Sequence, residues 1–114
     1  MARGDIAYIN MPLSTGSRVQ GGRRPAVLVI ADSARAHNPL VTIVPLTTTL
    51  AATRFPFTFQ IDPSPQNGLT TPSIALVFQL CGADRTLVDR VIGRLEDNHL
   101  AMIDAMIRQL LGMQ

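Results

Sequence analysis

Arg18, Arg23 and Arg24 fall within seven residues of one another, and no acidic residue lies between Asp5 and Asp32. Guanidinium forks suit phosphate oxygens and base edges, so this segment is a local positive patch able to hold a polyanion. Gly21 and Gly22, just before Arg23, let its backbone approach a ligand closely. Pro25 fixes the chain where the apolar run 25–30 begins and disfavours a helical conformation at Arg24. An arginine at the root of a buried strand is held more firmly than one in mid-loop. The same residues also fit a solvated arginine pair at a strand end, and their types alone do not separate the two.

Other chemistries find no constellation. His37 and His99 stand apart and the acids are scattered; one chain offers too few Cys and His for a zinc site, and no metal or cofactor is expected. His37, in a polar turn, and His99, early in a terminal helix, read as structural or solvated. Gly16 to Gly22 lacks the Lys-Ser/Thr ending of a P-loop, and there is no Ser/His/Asp order or nucleophile elbow. Cys81 reads as a packed residue at a strand end.

The elements that must position the arginines are short. Strands are expected over 5–11, 25–30, 40–46, 55–61, 73–80 and 90–95, with Pro45 at an end or on an edge because it cannot donate to a ladder. Residues 12–24 and 47–54 read as loops, 32–38 as one or two helical turns, 62–72 as a turn-rich connection, and 82–89 as a turn with short helical character. The C-terminal segment is a helix that Glu96 or Asp97 can cap. Leu100, Ile103, Ile107, Leu110 and Leu111 form its apolar stripe, Asp104 and Arg108 an i,i+4 pair, and Gly112 its stop. Such short strands close best into a small β-barrel or strongly bent sheet, filled by side chains, so function must sit on its loops.

A chain of 114 residues, 46% apolar and 16% charged, has room for one domain with one core, here 1–114. All ten basic residues are Arg, yet the net charge is only +2. A mean hydropathy of +0.22 hints at a further buried face, such as a dimer interface. A single cysteine excludes an internal disulfide and fits a reducing, cytoplasmic compartment. No apolar run approaches the roughly 20 residues of a membrane helix, and no signal peptide is expected.

Gly16-Ser17, then Gln20 to Ile30, resembles the signature of the MazF/PemK family of toxins from toxin–antitoxin pairs. The opening Arg3-Gly-Asp-Ile6, Val44-Pro-Leu-Thr-Thr48, Phe55-Pro-Phe57, Ser73 to Val77 with Gln79, and Gly93-Arg-Leu95 before a terminal helix follow in register. The resemblance covers essentially the whole chain. It implies an SH3-like β-barrel of five to seven short strands with a C-terminal α-helix, acting as a homodimer. It also implies a metal-independent, sequence-selective endoribonuclease for single-stranded RNA, held silent by a cognate antitoxin with an acidic tail. Family chemistry is attack of the ribose 2′-OH on the adjacent phosphate. By position, Arg24 carries the family's catalytic arginine and Thr47 its catalytic threonine. Gly16, Ser17, Arg18, Gln20, Gly21, Arg23, Thr48, Thr49, Arg54 and Gln79 are the expected RNA contacts, with Phe55 and Phe57 as local stacking candidates.

The chain departs from the family at three places. Gly16-Ser-Arg-Val-Gln20 lacks the usual acid and carries one extra residue. Phe78 stands where many members have Asp, and Cys81-Gly82 replaces an Arg-Thr pair. These changes imply an altered RNA preference, or a member that binds antitoxin or RNA without efficient cleavage. A third alternative, a gyrase-poisoning relative on the same barrel, is disfavoured because the tail ends without tryptophan.

Overall fold

A computed structural model describes residues 1–11 and 22–113. Among the described residues seven strands form: β1 (Asp5–Met11), β2 (Gly22–Leu28), β3 (Leu40–Thr47), β4 (Thr58–Ile61), β5 (Ser73–Leu76), β6 (Cys81–Asp84) and β7 (Val88–Arg94). Two helices accompany them, the one-turn α1 (Asp32–Arg35) and the terminal α2 (Asp97–Leu110). Every strand pair is antiparallel. The order is β4-β5-β3-β2-β1-β7, and β6 lies against the first half of β3.

That order forces curvature. β6 and β7 flank opposite sides of the β3-β2-β1 ladder, yet only the 3-10 turn Arg85–Leu87 joins them. The sheet must therefore curl until its two sides nearly meet. Register shifts on β1 against β7, between Ile6 and Ala7 and between Tyr8 and Ile9, add to the bend. Among the described residues no ladder closes the sheet, so it is an open, barrel-like curl. The connection 62–72 covers the outer edge of β7: the Arg94 N–H donates to the Gln66 carbonyl at 2.9 Å. A Cβ on Gly93 would stand 2.3 Å from the Asn67 carbonyl oxygen, so only glycine permits that approach.

Two apolar clusters fill the fold. The larger joins Ile6, Val27, Val44, Leu46, Phe59, Ile61, Ala75 and Val77 to Ile103 of α2. The smaller, inside the curl, joins Ile9, Ala26, Leu28, Val41, Ile43 and Ala83. β2 and β3 contribute alternate residues to both, which explains their near-continuous apolar runs.

Pro45 lies inside β3, which is an interior strand, rather than at an end. It is tolerated because β3 pairs with β6 over residues 40–43 and with β5 over 46–47, leaving a gap on that side at 44 and 45. β4 starts three residues later than its sequence pattern predicts. Pro56 cannot donate, and Phe57 takes the left-handed φ of +60°. The Phe57 carbonyl accepts from the N–H groups of Val77 (3.0 Å) and Phe78 (3.3 Å), which ends β5 early and starts the 3-10 turn Val77–Gln79.

The helix ends as its sequence predicts. The Gly112 N–H donates to the Gln109 carbonyl and the Met113 N–H to the Arg108 carbonyl, with Gly112 at φ +70°. Its start differs. Glu96 sits at the N-cap position but makes no capping bond from its side chain. Its carboxylate instead accepts from Ser64 Oγ at 2.5 Å and from Nδ2 of the fully buried Asn67 at 3.1 Å. Asp104 is taken by Arg3, which ties the N-terminal segment to α2.

Burial works to raise the Glu96 pKa. Hydrogen bonds from Ser64, its own backbone and Asn67, with the charge of His99, outweigh burial and hold the carboxyl below its ordinary value. A depressed folded-state value contributes stability above the unfolded value, near 4.3 for Glu, and that stability is lost as pH falls through the folded value. Glu96→Gln is expected to be less stable than the native protein at neutral pH, with the difference shrinking below about pH 4. Urea unfolding across that range checks this; a gap that stays constant with pH contradicts it.

Candidate active site

Side chains alternate along a strand, so Arg24, Ala26 and Leu28 of β2 share one face while Arg23 and Val27 share the other. The β2–β3 ladder pairs Ala26 with Pro45, Val27 with Val44 and Leu28 with Ile43. The ladder's last pair is Ala26–Pro45, so Arg24 and Thr47 each lie two residues beyond it at the same end. Both belong to the face that holds the smaller cluster, and Ile9 of that cluster is Arg24's partner on β1. Arg24 and Thr47 thus form the polar end of an apolar row. Arg24 is half-buried and Thr47 only 4% exposed, so neither is a freely solvated strand-end group.

Thr47 Oγ1 accepts from the Thr49 N–H at 3.2 Å, which turns the chain out of β3 and leaves the hydroxyl hydrogen free to donate. Thr48 and Thr49 are exposed on the turn that follows. The chain then makes a 3-10 turn, Leu50–Arg54. The Arg54 guanidinium lies 4.7 Å over the Phe55 ring, and that ring lies 5.4 Å from the ring of Phe78 at 48°. Gln79, half-buried, ends the turn that carries Phe78. Phe57 packs on the larger cluster, so of the two local stacking candidates only Phe55 stays with the site-side residues.

Arg23 goes elsewhere. Its guanidinium bonds Asp89 on β7, with Nη2 2.8 Å from the carboxylate, and lies 4.0 Å over the Tyr8 ring. It stands on the face opposite Arg24. Gly16, Ser17, Arg18, Gln20 and Gly21 lie outside the described residues.

The remaining candidates keep structural settings. Cys81 pairs with Ile43 and packs against the smaller cluster, and burial pushes its thiol pKa up, away from thiolate chemistry. His99 rests against the Phe59 ring at 5.5 Å, and its Nδ1 is 3.8 Å from Glu96. His37 is exposed in the turn after α1. Among the described residues no three His, Cys, Asp or Glu gather as a metal site, and no helix is long and apolar enough to cross a membrane.

Sequence reasoning missed the Phe55–Phe78 contact. The one available signal was the apolar residue at 78, beside Gln79, in place of an acid.

The profile of PemK-like, MazF-like toxins of type II toxin–antitoxin systems matches residues 2–111. The chain belongs to this family. No curated protein sequence matches the toxin significantly. Solved structures share its fold. MazF from Deinococcus radiodurans aligns with a TM-score of 0.81 at 23% identity, covering 99% of this chain and 97% of that one. The Mycobacterium tuberculosis toxin MazF-mt6 aligns at 0.74 with 20% identity, covering 96% and 98%. A mycobacterial endoribonuclease in complex with its cognate antitoxin aligns at 0.68 with 18% identity, covering 100% and 95%.

The toxin's Arg23–Asp89 pair is half-exposed on both sides. Exposed pairs contribute little, so Asp89→Asn is expected to cost about 1 kcal/mol or less, and less still at high salt. Urea denaturation at two salt concentrations measures it; a loss several times larger and insensitive to salt contradicts a surface pair.

Proposed function

We propose that this toxin is a metal-independent endoribonuclease that cuts single-stranded RNA, messenger RNA included, at preferred sequences. The observation that supports the reading is that Arg24 of β2 and Thr47 of β3 lie at the same end of the β2–β3 ladder, each two residues past its last pair, Ala26–Pro45. In the reaction the ribose 2′-oxygen attacks the adjacent phosphorus and the 5′-oxygen leaves, giving a 2′,3′-cyclic phosphate and a 5′-OH end. Negative charge builds on the phosphoryl oxygens as the new bond forms. The Arg24 guanidinium, held at a strand root, stabilises that charge with two donors. A guanidinium presents only donors and no acceptor, so Arg24 is not the group that takes the 2′-OH proton. The Thr47 hydroxyl, already oriented by the Thr49 N–H, donates to a non-bridging oxygen and holds the phosphate in line.

The same reading makes the toxin a homodimer with an antitoxin partner. Solved neighbours include MazE–MazF complexes from Deinococcus radiodurans. An acidic antitoxin tail and RNA both suit an arginine-bearing surface, so the two compete for it, most strongly at low salt. Phe78 in place of an acid favours a second reading, a member that binds without efficient cleavage; multiple turnover on a single-stranded RNA panel rules it out.

Purified toxin is expected to cut single-stranded RNA in the presence of EDTA. Arg24→Ala and Thr47→Val are each expected to lower the rate on the order of a hundredfold or more while the circular dichroism spectrum is kept. Full activity in Arg24→Ala overturns its assignment.

A further inference from the structure

Outside the Arg24–Thr47 row, three side chains form a graded stack. Phe78 braces Phe55, and Phe55 carries the Arg54 guanidinium. Of the four phenylalanines, Phe57 and Phe59 pack with the larger cluster, whereas Phe55 and Phe78 belong to neither cluster. Both rings are half-buried and Arg54 is exposed. Their backbones are fixed. The Phe55 N–H donates to the Ala52 carbonyl at 3.1 Å and the Phe78 N–H to the Phe57 carbonyl at 3.3 Å. The stack stands at the far end of the turn that Thr47 opens. It also stands just beyond β5, whose Ile74 pairs with Thr47.

A guanidinium resting on a ring gives up rotamer freedom and presents its outer side to solvent as a preset planar surface. Nucleobases stack on aromatic rings and on such arginine planes, and every base has a face to offer. Resting on the ring favours presentation of the guanidinium's flat side, which is what a base uses. We infer that Arg54, backed by Phe55 and Phe78, is a stacking platform for one base of single-stranded RNA flanking the scissile phosphate. This rests on the RNA-cleaving function proposed above. It makes Arg54 a substrate-binding contact that adds affinity for a flanking base whatever its identity, and Phe55 and Phe78 positioning residues that act through it.

The test uses 2′-O-methyl single-stranded oligonucleotides, which cannot undergo 2′-OH attack, with each position in turn made abasic. Binding is read by fluorescence anisotropy. For the native toxin one abasic position is expected to weaken binding about tenfold or more. Arg54→Lys keeps the charge but loses the plane. It is expected to bind the intact oligonucleotide about tenfold more weakly and to be indifferent to that abasic position. Phe78→Leu should move the same way and Phe78→Tyr should stay near native; if Phe78→Leu folds poorly, Arg54→Lys, at an exposed site, still decides. Equal abasic sensitivity in native toxin and Arg54→Lys overturns the platform. So does a result in which Arg54→Lys weakens binding of an acidic peptide but not of the oligonucleotide. Native toxin that cuts RNA yet shows no abasic effect overturns the platform and leaves the proposed function standing. Native toxin that neither binds nor cuts any single strand overturns both.

Discussion

The ladder between β2 and β3 is the constraint on which the rest of the molecule depends. Ala26, Val27 and Leu28 are buried, and so are Val41, Ile43, Val44 and Leu46 facing them or continuing the strand. Each strand supplies one face to the larger cluster and the other to the smaller. A slip of one residue would exchange every side chain between two clusters of different shape and would carry Arg24 to the wrong face. Two prolines sit at the end of this ladder. Pro25 precedes its first pair, Ala26–Pro45, and Pro45 faces, on the other side of β3, the gap where that strand leaves β6 for β5. The ladder's missing donors therefore fall where no acceptor waits.

The charge distribution follows from that frame. Arg23 and Arg24 are adjacent in sequence and opposite in direction, so one strand sends the first to a structural partner on β7 and keeps the second on the other face, opposite Ile9 of β1. Two like charges that would repel in a flexible loop are separated by the sheet itself. The positive patch seen in the sequence is thus thinner on any one face than its residue count suggests.

Much of this was legible in the sequence. β1 spans the predicted residues, and Gly112 ends α2 through the carbonyl-capping geometry that glycine favours. The apolar runs of β2 and β3 gave their burial, and residues 44–48 gave Thr47 its position. What was hidden has physical reasons. Residues 81–84 form β6 although Cys-Gly-Ala-Asp has no β-branched residue, because the edge offered by β3 overrides local propensity. β4 starts late because Pro56 lacks a donor and Phe57 takes a positive φ, and β5 ends early because the Phe57 carbonyl captures two N–H groups from its continuation. The partners of Arg23, Asp104 and Glu96 lie 66, 101 and 32 residues away, distances over which periodicity carries no information. The Glu96 case shows the cost of local reasoning: a residue suited to cap its own helix is used to clamp a distant loop.

Phe57 links the interior to the exposed stack in a way that bears on how such a surface changes over time. Its ring is anchored in the larger cluster, while its carbonyl fixes the backbone from which Phe78 and Gln79 project. The path of that backbone is therefore set from inside, independently of which side chains it displays. What the Phe57 carbonyl requires of residues 77 and 78 is a main-chain N–H, which every residue but proline supplies. The solved structures that align with this chain at 18–23% identity show how much sequence change one such scaffold absorbs.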